Sequence, residues 1–484
     1  VTALPLGLIP AHHAAADPDR LALRCGATSL TRREFADAVE RAARHLQASG
    51  VRAGDTVAIA LPNGIAFLVT TFAAWRLDAV PFPLASHLPD AERSALLELA
   101  SPALVVGDPD PRWRSLAPTA LAAETDPAID LDAPTGTHPW KLIGSGGSTG
   151  RPKLILAGVP AAADPATERY TIRGSDTVFV PGPLYHQGPF IFTTAGLITG
   201  ASVVIAERFD AAEALLLLEE QQVTWTFLVP TMTHRIWRLG DEARASTDLS
   251  RLRLLFSTGA PWPTWLKQEW MAWLGSDRVL EWYGGTEEQG GLRITGDEAV
   301  AHPGAIGRAD DDVRVIDAEG RDVPAGEIGE LVFRTRGTGH HAYIGQPDPA
   351  GEWRGYGDLA FIDDTGYVHL TDRRTDMIVS GGVNVYPAEI EGALEAHPHV
   401  VGAVVIGLPD EDLGQYVHAV VQLAPEWEAQ DPDQELRAYL RERLARVKVP
   451  RRFEFVTDQL RDDAGKVRRS AIRDARLAAR EAAR

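Results

Sequence analysis

The residues best suited to do chemistry run from Lys141 to Leu156, K-L-I-G-S-G-G-S-T-G-R-P-K-L-I-L. Two apolar, strand-like flanks enclose a loop of Gly, Ser and Thr that ends in Arg151, Pro152 and Lys153. Gly146, Gly147 and Gly150 permit backbone angles that turn successive N–H groups toward one point; Ser145, Ser148 and Thr149 add hydroxyl donors and Lys153 a fixed charge. That is the chemistry of a triphosphate cradle. The residue types also fit a flexible surface hairpin. The loop is not a Walker loop, because Arg151-Pro152 and a strand-like segment follow the last glycine in place of Lys-Ser/Thr opening a helix.

Further chemistry-bearing groups follow in order. P-G-P-L-Y-H-Q-G-P-F brings Tyr185 and His186 to the exit of a strand-like segment, where ligands gather in open α/β sheets. S-T-G-A-P, with Gly259, Ala260 and Pro261, and Y-G-G-T-E, with Tyr283, Gly284, Thr286 and Glu287, each follow a strand and could lay a flat ring on exposed backbone. G-Y-G-D ends in Asp358, and D-D-A-G-K-V carries Lys466. On residue type, His186 could equally be a loop histidine, Glu287 half of an acidic surface pair with Glu288, and Asp358 and Lys466 turn residues.

Taken together, the phosphate-type loop Ser145–Lys153 and these downstream motifs resemble the adenylate-forming superfamily of acyl- and aryl-CoA ligases, peptide-synthetase adenylation domains and luciferases. The resemblance covers nearly the whole chain. It implies that Tyr283 stacks on adenine and that Gly259, Ala260, Pro261 and Gly284 wall the adenine site. Thr286 would approach the α-phosphate. Glu287, with Thr149, would help bind Mg²⁺, Asp358 would grip the ribose hydroxyls, and Arg373 would contact ribose and phosphate. Lys466 is the expected catalytic lysine, although Leu460-Arg461 stands where relatives carry Leu-Pro. Tyr185 and His186 would border the carboxylate pocket, drawn further from Phe190, Trp225, Phe227 and Gly284.

The stretch D-R-R-T-D-M-I-V-S-G-G-V-N-V-Y-P-A-E-I-E from Asp372 resembles the family's hinge, placed here at Thr375 where relatives carry Asp or Lys. Ser380, Gly381 and Gly382 would line a second face that admits a pantetheine arm once the small domain has turned. Leu413 stands where some aryl-CoA ligases have an aromatic beside the CoA adenine. The implied reaction is ATP-dependent formation of an acyl-AMP, then transfer of an aromatic or medium-sized acyl group to CoA. Three alternatives remain: loading of a carrier protein in trans, activation of nitrite for diazotisation of an aromatic amine, and a catalytically silent adenylate sensor.

The elements that must position these groups read as α/β. Thr31 opens a capping box with Glu34 ahead of a helix to about Ser49, and strands at 55–61 and 103–107 bracket a helix at 65–75. From Val313 the chain turns β-rich. The expectation is a large N-terminal domain, 1–372, of helix-covered β-sheets plus a β-rich subdomain, hinged to a small α+β C-terminal domain, 373–484. The length of 484 residues exceeds what one core usually serves. A formal net charge of -19 argues against nucleic acid or an anionic membrane as partner, and a homodimer is compatible with the sequence. Cys25, a single cysteine, suits a reducing cytoplasm and a structural role. The opening V-T-A-L-P-L-G-L-I-P-A-H-H lacks signal-peptide features, and His12-His13 lacks further metal ligands at useful spacing. The Arg-rich tail from Arg468 reads as a solvated helix face.

Overall fold

The computed structural model describes residues 3–123, 129–145, 153–335, 341–345, 351–425, 427, 430–462 and 465–482. The helix expected after Thr31 spans Arg32–Ala48, and its capping box is formed: the Thr31 hydroxyl accepts from the Glu34 N–H and the Glu34 carboxylate accepts from the Thr31 N–H. Phe35, Val39, Ala42, Ala43 and Leu46 recur at helical spacing and are buried, which fixes the face turned to the core.

Two sheets carry the large domain. The wider runs in the order Gly291–Thr295, Val279–Gly284, Leu254–Ser257, Trp225–Phe227, Thr177–Val180, Ser202–Ile205, Leu21–Cys25, Thr28–Thr31. Its interior pairings are parallel and both edge pairings antiparallel. Its central strands are apolar on both faces because helices cover both, as parallel pairing requires. The second sheet, Val80–Pro83, Thr56–Ala60, Leu104–Gly107, Ser115–Leu116, is parallel throughout. Between helix and strand ends lies one large core that includes Trp75, Phe179, Phe190, Trp225, Phe227, Phe256 and Trp270. Cys25 belongs to it, and burial pushes its thiol up to about 11, which makes it inert at neutral pH.

Leu142–Ser145 and Lys153–Ala157 pair antiparallel, and His341–Tyr343 joins the second of them. The β-rich region is an antiparallel sheet, Ala305–Arg308, Tyr367–Arg373, Trp353–Ile362, Gly329–Arg334, Val313–Ile316, with its own core around Leu331, Phe333 and Val368.

The C-terminal region builds a further sheet from Val383–Val385, Ile378–Ser380, Gly414–Leu423, Val400–Asp410 and Arg452–Val456, backed by the helices Pro387–Glu395 and Pro432–Arg441. Its core of Ile378, Ile390, Leu394, Val405, Val421 and Leu440 is separate from the others. The basic tail differs in part from a solvated face. In the helix Arg469–Ala482, Ile472 and Leu477 pack on Val404, Ile406 and Tyr416, and Arg469 and Arg476 pair with Glu391 and Glu454. The physical reason is amphipathicity: Ile472 and Leu477 give the helix an apolar stripe that must be covered. No helix among the described residues is long and apolar enough to cross a membrane.

Candidate active site

The strand Val279–Gly284 carries Tyr283 out of the wide sheet to the edge of the β-rich one. There the Tyr283 hydroxyl donates to Asp358 Oδ2 at 2.6 Å, and its ring stacks on Phe333 with Tyr356 edge-on. Asp358 lies directly opposite Arg373 in the antiparallel pair, and its other oxygen meets Arg373 Nε at 3.3 Å. Burial raises the carboxyl of Asp358, and the Tyr283 and Arg373 contacts oppose that shift. The three nucleotide-binding candidates Tyr283, Asp358 and Arg373 thus converge from three strands.

Tyr356 shapes the turn that follows. Its hydroxyl accepts from the N–H groups of Gln289 and Gly290 and donates to the Gly290 carbonyl. A Cβ at Gly285 would stand 2.3 Å from the Tyr356 ring, so any side chain here would push that ring from its place. Thr286 and Glu287 are half-buried on that turn, and Glu287 Oε1 accepts from the Tyr343 hydroxyl at 2.9 Å. The Lys153 ammonium stands 5.7 Å from the Tyr343 ring centroid, so the exit of the Gly/Ser loop and Glu287 share one aromatic neighbour. Gly259 turns at φ 95°, and Gly259 and Pro261 are exposed with Ala260 half-buried at the end of Leu254–Ser257. Gly146, Gly147, Ser148, Thr149 and Gly150 lie outside the described residues, as does the side chain of Ser145.

On the opposite wall, His186 is the N-cap of the helix Gln187–Thr199, with the Tyr185 ring 4.4 Å away. Burial, reinforced by the positive charge of Lys466, holds the imidazole down at about 3, so it is neutral at working pH. Among the described residues its Nε2 is buried without a hydrogen-bond partner, as is the hydroxyl of Ser257. Buried polar atoms ordinarily have partners, and these two lie beside the strand ends where the candidate site is.

Lys466 arrives from the C-terminal region on a turn closed by Asp462, which accepts the Gly465 N–H on its carbonyl and the Lys466 N–H on its carboxylate. Gly465 sits at φ 75°, and a Cβ there would meet the Thr231 hydroxyl at 2.5 Å; the turn is seated tightly on the helix Pro230–Trp237. Desolvation lowers the Lys466 ammonium, with Asp462 and Glu287 opposing and Arg373 assisting. Lys466 therefore lies within electrostatic reach of both His186 and Glu287.

Three residues of this region escape a reading by motif. Lys141 is buried, with Nζ 2.6 Å from Gln187 Oε1 and 2.7 Å from Glu288 Oε1, and the Gln187 amide donates to the same Glu288 oxygen at 2.9 Å. The ammonium also lies 4.3 Å from the Trp140 ring centroid. Desolvation brings it to about 8. The only sequence signal was a lysine set in an otherwise apolar strand flank.

Of the proposed pocket residues, Phe190, Trp225 and Phe227 are at most 1% exposed and sit in the main core. Phe190 stacks on Trp140, while Phe192 contacts Trp225, Phe227 and Phe256. Gly284 is exposed and Tyr185 half-buried. Thr375 is exposed, Ser380 is buried, and Gly381 and Gly382 form an exposed turn at φ 58° and 79°.

Against known proteins, residues 10–340 match the family model of AMP-binding enzymes, and residues 389–466 match that of the AMP-binding enzyme C-terminal domain. A feruloyl-CoA synthase of Amycolatopsis is 34% identical over 97% of this chain and 98% of its own length. A fatty acid–[acyl-carrier-protein] ligase of Streptomyces coeruleorubidus is 31% identical over 96% and 94%. Among solved structures, the o-succinylbenzoate CoA synthetase of Bacillus subtilis in complex with its acyl-adenylate intermediate superposes with a TM-score of 0.83 at 25% identity, covering 98% of this chain and 99% of that one.

Proposed function

The chain belongs to the family of AMP-binding enzymes, and from that premise we propose that it joins an organic acid to coenzyme A in two steps. In the first, a carboxylate oxygen attacks the α-phosphorus of ATP, the bond to the β-phosphate breaks, and pyrophosphate leaves with the electron pair. In the second, the CoA thiol loses its proton and its sulfur attacks the acyl carbon, and AMP leaves. The first step brings two anions together, so the protein must neutralise charge and align atoms more than form bonds.

The observation that carries this reading is Lys466, a cation set in the cleft within electrostatic reach of His186 and Glu287. It would stabilise the charge that builds on phosphorus. His186, neutral and with an unpartnered Nε2, would meet the carboxylate of the acid. Tyr283, Asp358 and Arg373 would hold the nucleoside, with the Gly/Ser loop on the phosphates.

Glu287 offers a hard carboxylate oxygen already oriented by Tyr343, which fits magnesium, an ion that takes most of its remaining ligands from phosphate and water. Bound there with Thr149, magnesium would supply charge neutralisation at the phosphates.

We divide the chain at 372/373, with Thr375 as hinge. Turning the small domain would bring Ser380, Gly381 and Gly382 toward the cleft, and the same hairpin exposes Val379 and Val383 beside Leu413, apolar surface suited to a pantetheine arm. The acid is proposed to be aromatic or medium-sized, in keeping with the feruloyl- and o-succinylbenzoate-CoA-forming relatives. The carrier-protein ligase supports a second reading, in which a carrier thiol in trans replaces CoA. The single buried thiol suits a cytoplasmic setting.

ATP–pyrophosphate exchange over a panel of aromatic and aliphatic acids, amino acids and nitrite, each with CoA, carrier protein or an aromatic amine, tests this. Acid-dependent exchange with CoA-dependent AMP release supports the ligase. Exchange restricted to nitrite, or nucleotide binding with no exchange at all, overturns it.

A further inference from the structure

Among the described residues Lys141, Gln187 and Glu288 form a closed triangle of hydrogen bonds, and the Trp140 ring covers a further side of the ammonium. Lys141 has 1% side-chain exposure, and its described partners are protein groups. Its partners, however, are each one chain bond from a site residue. Gln187 follows His186 at the first turn of its helix, and Glu288 follows Glu287. Lys141 itself immediately precedes the strand that runs into the Gly/Ser loop.

Glu288 is held at φ 53°, a left-handed conformation that costs a non-glycine residue energy and persists only where its surroundings impose it. That turn of the backbone sends the Glu288 side chain to Lys141 while Glu287 goes to Tyr343. Removing the ammonium would leave a partly buried carboxylate with the neutral Gln187 amide as its remaining described partner and no counter-charge, and Glu288 would be expected to swing out toward water and rotate Glu287 with it.

Resting on the ligase reading above, we propose that Lys141 is a positioning residue: through Glu288 and Gln187 it sets where the Glu287 carboxylate, proposed above to meet magnesium, and the imidazole of His186 stand relative to one another. It touches no reacting atom. The role differs from mere stability because it acts on magnesium and acid together.

The test compares wild-type, K141M, E288Q and the double variant K141M/E288Q as full chains. Calorimetric titration with ATP, with and without magnesium, reads the site independently of any acid. K141M is expected to weaken binding about tenfold with magnesium and to leave binding without it unchanged. In pyrophosphate exchange, K141M is expected to raise the acid KM and the magnesium concentration for half-maximal rate, and the double variant, with neither charge, to recover most of the loss. Equal weakening with and without magnesium, or a double variant no better than K141M, overturns the inference. Should K141M not fold, E288Q, which keeps an oxygen for Lys141, is expected to show the same magnesium-selective weakening at smaller size; unchanged magnesium dependence in a folded E288Q likewise overturns it. A wild-type protein that binds magnesium-ATP but exchanges with no acid defeats the ligase reading while leaving the calorimetric comparison decisive for Lys141.

Discussion

Two regions of this molecule bury charge, and they do so in opposite ways. In the small domain, Arg469 makes a paired contact with the Glu391 carboxylate, donates to Asp376 and to the Val405 carbonyl, and stands near Arg461, which itself bonds Glu395 at 3.0 Å. Glu391 and Glu395 also accept backbone N–H groups from Val405 and Ala403. Desolvation would raise Glu391, yet the two guanidinium groups win and hold it below the usual carboxylate range. In the cleft, Asp462 and Glu287 oppose the desolvation of the Lys466 ammonium, and among the described residues the His186 Nε2 and the Ser257 hydroxyl have no hydrogen-bond partner. Saturation marks the structural cluster and incompleteness the site. A buried charge by itself identifies neither.

The comparison breaks most visibly if the saturated cluster can be dismantled without cost. R469M would remove the nearer of the two guanidinium groups that hold the buried Glu391 and is expected to destabilise the small domain by about 3 kcal/mol, read by urea unfolding. A variant that unfolds at the wild-type midpoint would show that the cluster is not what holds this domain. K466A should do the reverse: wild-type unfolding, but adenylate formation down by roughly 10²- to 10³-fold, the scale for losing a preorganised electrostatic group. Unchanged pyrophosphate exchange by the folded K466A protein would falsify the role given to Lys466.

Smaller effects sharpen the contrast. D358N keeps the shape of its site while removing the charge that faces Arg373, and about a tenfold loss of ATP affinity is expected, as for a charge-assisted hydrogen bond. Calorimetry would measure it. Because desolvation lowers the Lys466 ammonium, it loses its proton earlier than an ordinary lysine as pH rises, so adenylation should fall on the alkaline side below the usual lysine range. K466R, which does not titrate there, should move that limb upward even if its rate is lower.

The least effect concerns Asp372, which accepts the Ala388 N–H across the proposed hinge and whose carboxyl burial pushes up to about 6. Between roughly pH 4 and this value the folded chain holds a proton that the unfolded chain has released, so the contribution is present at acid pH and declines as pH rises through about 6. D372N should flatten that part of the stability–pH curve; a slope identical to wild-type would remove Asp372 as its source.

Much of the scaffold was legible because its signals are local. The Thr31 capping box, the apolar strands near 55–61 and 103–107 and the helix between them depend on a few neighbouring residues, and they form close to where pattern and capping place them. The convergence of Tyr283, Asp358 and Arg373 is not local: 75 positions separate the first pair, and only the sheet register brings them together. The basic tail is solvated only in part, and charge counts cannot show that Glu391 and Glu454 wait on another face.

By itself, then, the sequence determined the order of the elements, the glycine positions where backbone must turn or approach closely, and the chemical types that could meet a nucleotide and an anion. Only the tertiary structure decided which of those groups meet. It placed Phe190, Trp225 and Phe227 in the main core, put the Lys466 charge where the His186 imidazole feels it, and joined Lys141 to Glu288 across 147 positions. The physical reason is that propensity, capping and turn chemistry act over a few residues, whereas desolvation and electrostatic pairing act through space and take their strength from what the whole fold excludes.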